Sequence, residues 1–138
     1  MNWTLEVVVV PVSDVERAKG FYADQLGFNV DHDTKVNDEL HIVQLTPPGS
    51  GCSVVIGKGI DGGMQPGSLK GLQLVVNDIY KAHAQLVDAG VAVGEVMFAS
   101  QTGFRPAQEG DDLNNSGFAF FSDPDGSGWA VQQITNRG

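Results

Sequence analysis

Histidine beside carboxylate offers the plainest chemistry in this chain, and there are three histidines. Asp31, His32 and Asp33 stand in a row, and His41 follows after the turn-like "NDE" at 37–39. Imidazole with carboxylates is a ligand set for zinc or iron, and a hairpin at that turn would bring His41 opposite the row. Consecutive strand residues point to opposite faces, however, so only part of the row can converge on one ion, and a solvated hairpin without metal is the expectation. His83, between Ala82 and Ala84 of a predicted helix, is expected to face solvent. Glu6 is a second kind of candidate. A one-residue slip of its strand would turn it inward, where desolvation raises a carboxylic acid toward a general base. Val8, Val10 and Val12 argue against the slip, because they match the corresponding row of a second repeat. The single Cys52 excludes an internal disulfide and a cysteine-rich zinc site, and reads as a small buried thiol. No Ser-His-Asp or Cys-His pairing, phosphate-binding glycine loop or paired-carboxylate spacing stands out.

The elements that must position these groups come in two copies. "VVVVPVSDVERAKGFYADQLGFNV" runs from an apolar strand through Ser13 and Asp14, a helix-cap signal, into a helix that stops at Gly27. "GLQLVVNDIYKAHAQLVDAGVAV" repeats the plan, with Asp78 in place of Asp14 and Gly90 in place of Gly27. Strand-like runs follow each copy: 28–36, 39–46 and 52–59 in the first, 91–98, 117–123 and 128–135 in the second. The expected fold is therefore α+β, one domain over residues 1–138 made of two βαβββ modules, the first about 1–60 and the second about 68–138. Units this small are marginal alone and should bury apolar faces on one another. Residues 99–117, rich in Gly, Pro, Asn and Asp, are expected to be a loop, with Phe104 and Arg105 as its large anchors.

Composition limits the partners. A chain of 138 residues with 41% hydrophobic content suits one globular unit. No apolar run approaches the roughly 20 residues that span a bilayer, and no charged leader precedes an apolar stretch, so a soluble, cytoplasmic protein is expected. A net charge of −9 repels phosphate backbones and anionic membranes and would favour a cationic ligand.

"PVSDVERAKGFYADQLGF", followed much later by "FAFFSDPDGSGWAVQQI", resembles the vicinal oxygen chelate superfamily, which includes glyoxalase I, bleomycin-resistance proteins and extradiol dioxygenases. The resemblance spans nearly the whole chain. It implies paired βαβββ modules whose curved mixed sheets wrap a cavity, with helices outside. In the family's metalloenzymes it also implies one divalent metal held by His and Glu from four strands. Carried over residue by residue, those ligand positions fall on Val7, Gly71 and Ala130, and on a fourth strand without Asp, Glu or His between Thr46 and Ile60. A divalent cation needs several nitrogen or oxygen donors at about 2.0–2.6 Å, so no metal and no other cofactor is expected there.

Alternation places residues in phase with the lost ligands toward the cavity. These are Trp3, Leu5, Val7 and Val9 from the first strand, Gly71, Gln73 and Val75 from the fifth, and Ala119, Phe121, Ala130 and Gln132 from the last two. Their neighbours Val8, Val10, Leu72, Leu74, Phe120, Trp129 and Val131 would form core. The inward set is apolar with two amides, which suits a flat organic ligand oriented by Gln73 and Gln132, with Phe104 as a plug from the loop and Arg105 as its nearby cation. A filled core without a cavity is the plain alternative.

Two functional readings follow. One is a metal-independent binding protein of the bleomycin-resistance type that sequesters or carries an apolar or cationic molecule, with no enzymatic activity. The other is a glyoxalase- or dioxygenase-like metalloenzyme with ligands relocated to Asp31, His32 and His41, or one using Glu6 as base. The resemblance also implies a homodimer.

Overall fold

The computed structural model describes residues 1–135. They fall into two compact units, Met1–Leu69 joined by Asp123–Ser127, and Lys70–Ser122 joined by the chain from Gly128 onward.

In the first unit, β1 (Val7–Val9) leads into α1 (Val15–Lys19), then β2 (Asn29–Asn37), β3 (Leu40–Thr46) and β4 (Ser53–Lys58). The sheet order is β1-β4-β3-β2, with β1 parallel to β4 and the other pairs antiparallel. Asp14 caps α1 by accepting from the Arg17 amide at 3.0 Å, satisfying one of the donors that a helix start leaves open. Beyond Gly20 the helix widens into π-helical turns over Gly20–Gln25, marked by Leu26 N–H donating to the Phe21 carbonyl at 3.0 Å. Gly27 then takes φ +78°, a conformation that glycine reaches without a Cβ clash. The buried interior holds Val10, Phe21, Tyr22, Phe28, Val43, Leu45 and Ile56. Tyr22 meets Phe21 edge-on at 5.1 Å and stacks on Phe28 at 5.8 Å.

The second unit repeats the plan. β5 (Leu72–Val76) precedes α2 (Ile79–Asp88), β6 (Met97–Ser100), β7 (Gly103–Pro106), β8 (Gly117–Ser122) and β9 (Gly128–Gln133), in sheet order β5-β9-β8-β6-β7. Asp78 caps α2 through the Lys81 amide at 3.1 Å, as Asp14 does for α1, and Gly90 takes φ +82°. Ile79, Val91, Val96, Leu113, Ala119, Phe121, Trp129 and Val131 are buried.

Two expectations are corrected here. The eight strands become nine among the described residues, because β7 lies in the stretch 99–117 that reads as loop. Gly103, at φ +122°, closes a tight hairpin against Ser100, and Ala99 and Phe104 then pair. The strand expected over 91–98 begins only at Met97.

Candidate functional site

In the second unit the ladders decide which side chains share a face. β8 and β9 pair as Phe118↔Gln132, Phe120↔Ala130 and Phe121↔Trp129, and directly opposed residues lie on the same side of an antiparallel pair. One face therefore carries Gly117, Ala119, Phe121, Trp129, Val131 and Gln133. This is the side that α2 covers, because the Ile79 amide donates to Gln133 Oε1 at 3.0 Å and Ile79 approaches Gly117. The other face carries Phe118, Phe120, Ala130 and Gln132, and β5 adds Gln73 and Val75 through its pairs Gln73↔Ala130 and Val75↔Gln132.

Phe104 joins this open face from β7. Its ring stands edge-on to Phe118 and to Phe120 at 5.3 Å each, while Phe118 and Phe120 stack at 6.0 Å. Phe104 is 54% exposed and Phe120 40%, so the trio forms an apolar patch open to contact rather than a filled core. Beside it Gln73 Nε2 donates to Gln132 Oε1, and Gln132 Nε2 donates to the Asn115 carbonyl at 2.9 Å. The Gln132 carbonyl and one of its N–H groups are thereby engaged, which among the described residues leaves Gln73 Oε1 as the amide acceptor of this face.

Among the expected site residues, Gln73, Val75, Phe104, Ala130 and Gln132 thus meet on one sheet face. Phe121 does not: it is 5% exposed and stacks on Trp129 at 6.0 Å on the α2 side. Ala119 is likewise corrected to the buried face, and Phe120, expected in the core, lies on the open one. The reason is parity, since the connection Asp123–Ser127 holds an odd number of residues and sets even-numbered positions of β8 opposite even-numbered positions of β9. Phe118 and Phe120 were missed for the same reason, and counting the turn is the signal that finds them. Arg105 is corrected too. It points to the opposite side of β7 from Phe104, lies over the Phe98 ring at 4.6 Å, and forms a two-pronged pair with Asp111 at 2.9 Å. That bond holds Asp111 below the usual carboxylate range and Arg105 above its own, so this cation is committed.

In the first unit Val7 and Val9 pair with Ser53 and Val55 of β4, while Val8 pairs with Val54. Val7 and Val9 therefore share a face away from the α1 side, as their phase predicts. Glu6 lies before β1, and the register that sets Val7 beside Ser53 shows no slip. Trp3, 87% exposed, precedes the sheet.

The histidine candidates separate. His32 pairs with Gln44 and Asp33 with Val43, on opposite faces. Asp33 Oδ1 meets His41 Nε2 at 2.6 Å and its Oδ2 accepts from Lys19 Nζ at 2.5 Å. The Lys19 ammonium, and secondarily His41, hold Asp33 below the ordinary carboxylate value, and Lys19 is raised mainly by that same hydrogen bond. Asp31 turns instead to the Thr46 hydroxyl, which bonds Ser53 Oγ at 2.6 Å. His83, expected to face solvent, is half-buried, and its Nε2–H donates to the Gly94 carbonyl at 3.0 Å.

Metal donors of the kind the fold family uses do not fit the corresponding positions. Val7 and Ala130 sit in the expected strand phase, Gly71 precedes β5, and β4 contributes Ser53, Val55 and Gly57 to the side of Val7. None is an imidazole or a carboxylate.

The two stretches that carry the resemblance touch in the first unit. Tyr22 Oη donates to Asp123 Oδ2 at 2.7 Å, and Asp125 accepts from the Ser13 amide at 3.0 Å and from Arg17 at 3.1 Å. The model of the Glyoxalase/Bleomycin resistance protein/Dioxygenase superfamily matches residues 4–131. No curated protein matches. Among solved structures, TnmS3, an antibiotic binding protein from Streptomyces sp. CB03234, is 31% identical, with 96% of this chain and 97% of that one covered and a TM-score of 0.73. A glyoxalase/bleomycin resistance protein from the same organism is 32% identical over 94% of this chain and 100% of that one, at a TM-score of 0.70. A superfamily member from Sphaerobacter thermophilus DSM 20745 is 26% identical over 96% and 98%, at 0.74. With the helix caps, the turn at Asp123 and the strand orders all of one plan, this chain belongs to the glyoxalase/bleomycin resistance protein/dioxygenase superfamily.

Proposed function

We propose that this protein binds a small organic molecule without using a metal, sequestering or carrying it in the manner of the bleomycin-resistance branch. The observation that carries the reading is the open face of the second unit, where Phe104, Phe118 and Phe120 gather beside the Gln73–Gln132 amide pair and Ala130. Aromatic faces recognise a flat apolar group, and an exposed amide carbonyl fixes its orientation by accepting one hydrogen bond. The antibiotic-binding relative supports this class of ligand. The net charge of −9 favours a cationic one. A cytoplasmic homodimer with an antibiotic-resistance role completes the proposal.

A thermal-shift screen of aromatic and cationic compounds, antibiotics included, tests it. A ligand of the folded state raises the melting temperature. The rise should persist in chelator and vanish in Phe120→Ala. The metalloenzyme reading predicts instead that binding or turnover disappears with chelation. An absence of any shift across the panel would favour a protein without a ligand-binding face.

A further inference from the structure

We propose that Glu16, Asp33 and His41 form a divalent transition-metal site on the α1 side of the first unit's sheet, suited to Zn2+ or an ion of similar ligand preference. The site is independent of the ligand face proposed above, which lies in the second unit.

Its donors come from three separate elements. Glu16 belongs to α1, Asp33 to β2 and His41 to β3, and one ligand atom of each lies within 4.8 Å of the others. The β2–β3 register sets Asp33 opposite Val43 and Lys35 opposite His41, so Asp33 and His41 are diagonal neighbours on one face and α1 lies over that face. His41 is well shielded, its side chain 12% exposed, and Asp33 is 29% exposed. The imidazole and the Asp33 carboxylate already touch at 2.6 Å. Tetrahedral Zn2+ takes His nitrogen and carboxylate oxygen at about 2.0–2.2 Å, and three protein donors leave a fourth position for water. Small rotations of side chains this close suffice to open the pair around an ion.

A cleft of about 310 Å³, lined by Glu16, Lys19, Gly20, Ala23 and Asp24, adjoins the site at Glu16. Its wall is the π-helical stretch Gly20–Gln25, a distortion that recurs at functional sites. Charges of both signs surround it. Glu16, Asp24 and Asp33 surround Lys19, and all three act to hold its proton. Lys35 and Lys58 flank His41 in the strand register, so cations as well as carboxylates surround the donors. Lys19 is the resident cation on Asp33, bonded to Oδ2 while His41 faces Oδ1, and its charge competes with a metal's.

That competition gives the test a direction that a surface ion pair alone would not produce. Chelator-treated protein is titrated with Zn2+ by calorimetry and with Co2+ by visible absorption. The expected result is one saturable site in the native chain, weakened at least tenfold in His41→Ala and in Glu16→Gln, and tightened severalfold in Lys19→Met. His32→Ala and His83→Ala should bind as the native chain does. Circular dichroism verifies folding of each variant, and Glu16→Gln, altered on an exposed helix position, carries the test if His41→Ala is unfolded. Any of three results overturns the proposal: no saturable binding by the native chain, native affinity in a folded donor variant, or weaker binding in Lys19→Met.

Discussion

The Tyr22 hydroxyl donates to Asp123 Oδ2 at 2.7 Å, and both residues are buried, Tyr22 at 0% and Asp123 at 4% exposure. The other carboxylate oxygen of Asp123 accepts from the amides of Asp125, Gly126 and Ser127 at 2.9–3.0 Å. One side chain thus holds the turn closed while Tyr22 anchors it to the first unit. Tyr22→Phe removes a single donor and strands a buried oxygen, which costs about 1–3 kcal/mol. Urea unfolding should show a lower midpoint with an unchanged slope, and an unshifted midpoint would show the bond contributes nothing net.

Phe120 and Phe121 are neighbours in sequence with opposite duties. Phe121→Ala opens a cavity against Trp129 and should lose about 3–5 kcal/mol of stability. Phe120→Ala, on the open face, should lose well under half as much while abolishing the ligand-induced rise in melting temperature. Paired denaturation and thermal-shift measurements check both, and the reverse pattern would refute the register of β8 against β9.

Helix caps provide a matched pair. Asp14→Ala and Asp78→Ala should each cost about 0.5–2 kcal/mol, because each removes a carboxylate that accepts from an amide three residues on. The two losses should add in the double variant, since the caps sit in different units and share no partner. Guanidinium denaturation of the single and double variants measures this.

The pair of Arg105 and Asp111 gives a pH signature. Asp111 is lowered in the folded state, first by the Arg105 hydrogen bond and then by the Gln108 amide. Its contribution is therefore fully present above the unfolded carboxylate value of about 3.9, and is lost as pH falls through the lowered folded value. The raised Arg105 affects stability only at extreme alkaline pH. The stability difference between native protein and Asp111→Asn should accordingly be constant from pH 5 to 8 and shrink below about 4. Thermal melts across that range read it out, and a difference that grows on acidification would contradict the assignment.

Much of this architecture was legible before any coordinates. The two caps, the helix stops at Gly27 and Gly90, and the two-module α+β plan rest on local preferences that a chain expresses within a few residues. Which residues of β1 and of β5 share a face was legible too, because the two strands align as repeats and alternate strictly. β8 had no such anchor, and its phase depends on how many residues the Asp123–Ser127 connection holds. β7 escaped notice because its few residues are held by pairing with β6, and their composition is that of a loop.

Local sequence determined where helices begin and end, which strands exist in duplicate, and that the family's metal positions hold no donors. Tertiary structure alone decided that Phe118 and Phe120 flank Phe104, that Gln132 is bonded to Gln73, and that Glu16, Asp33 and His41 converge. The division has one cause: caps and periodicities act between near neighbours, whereas a site is made by strand register and helix placement, which join residues far apart in the chain.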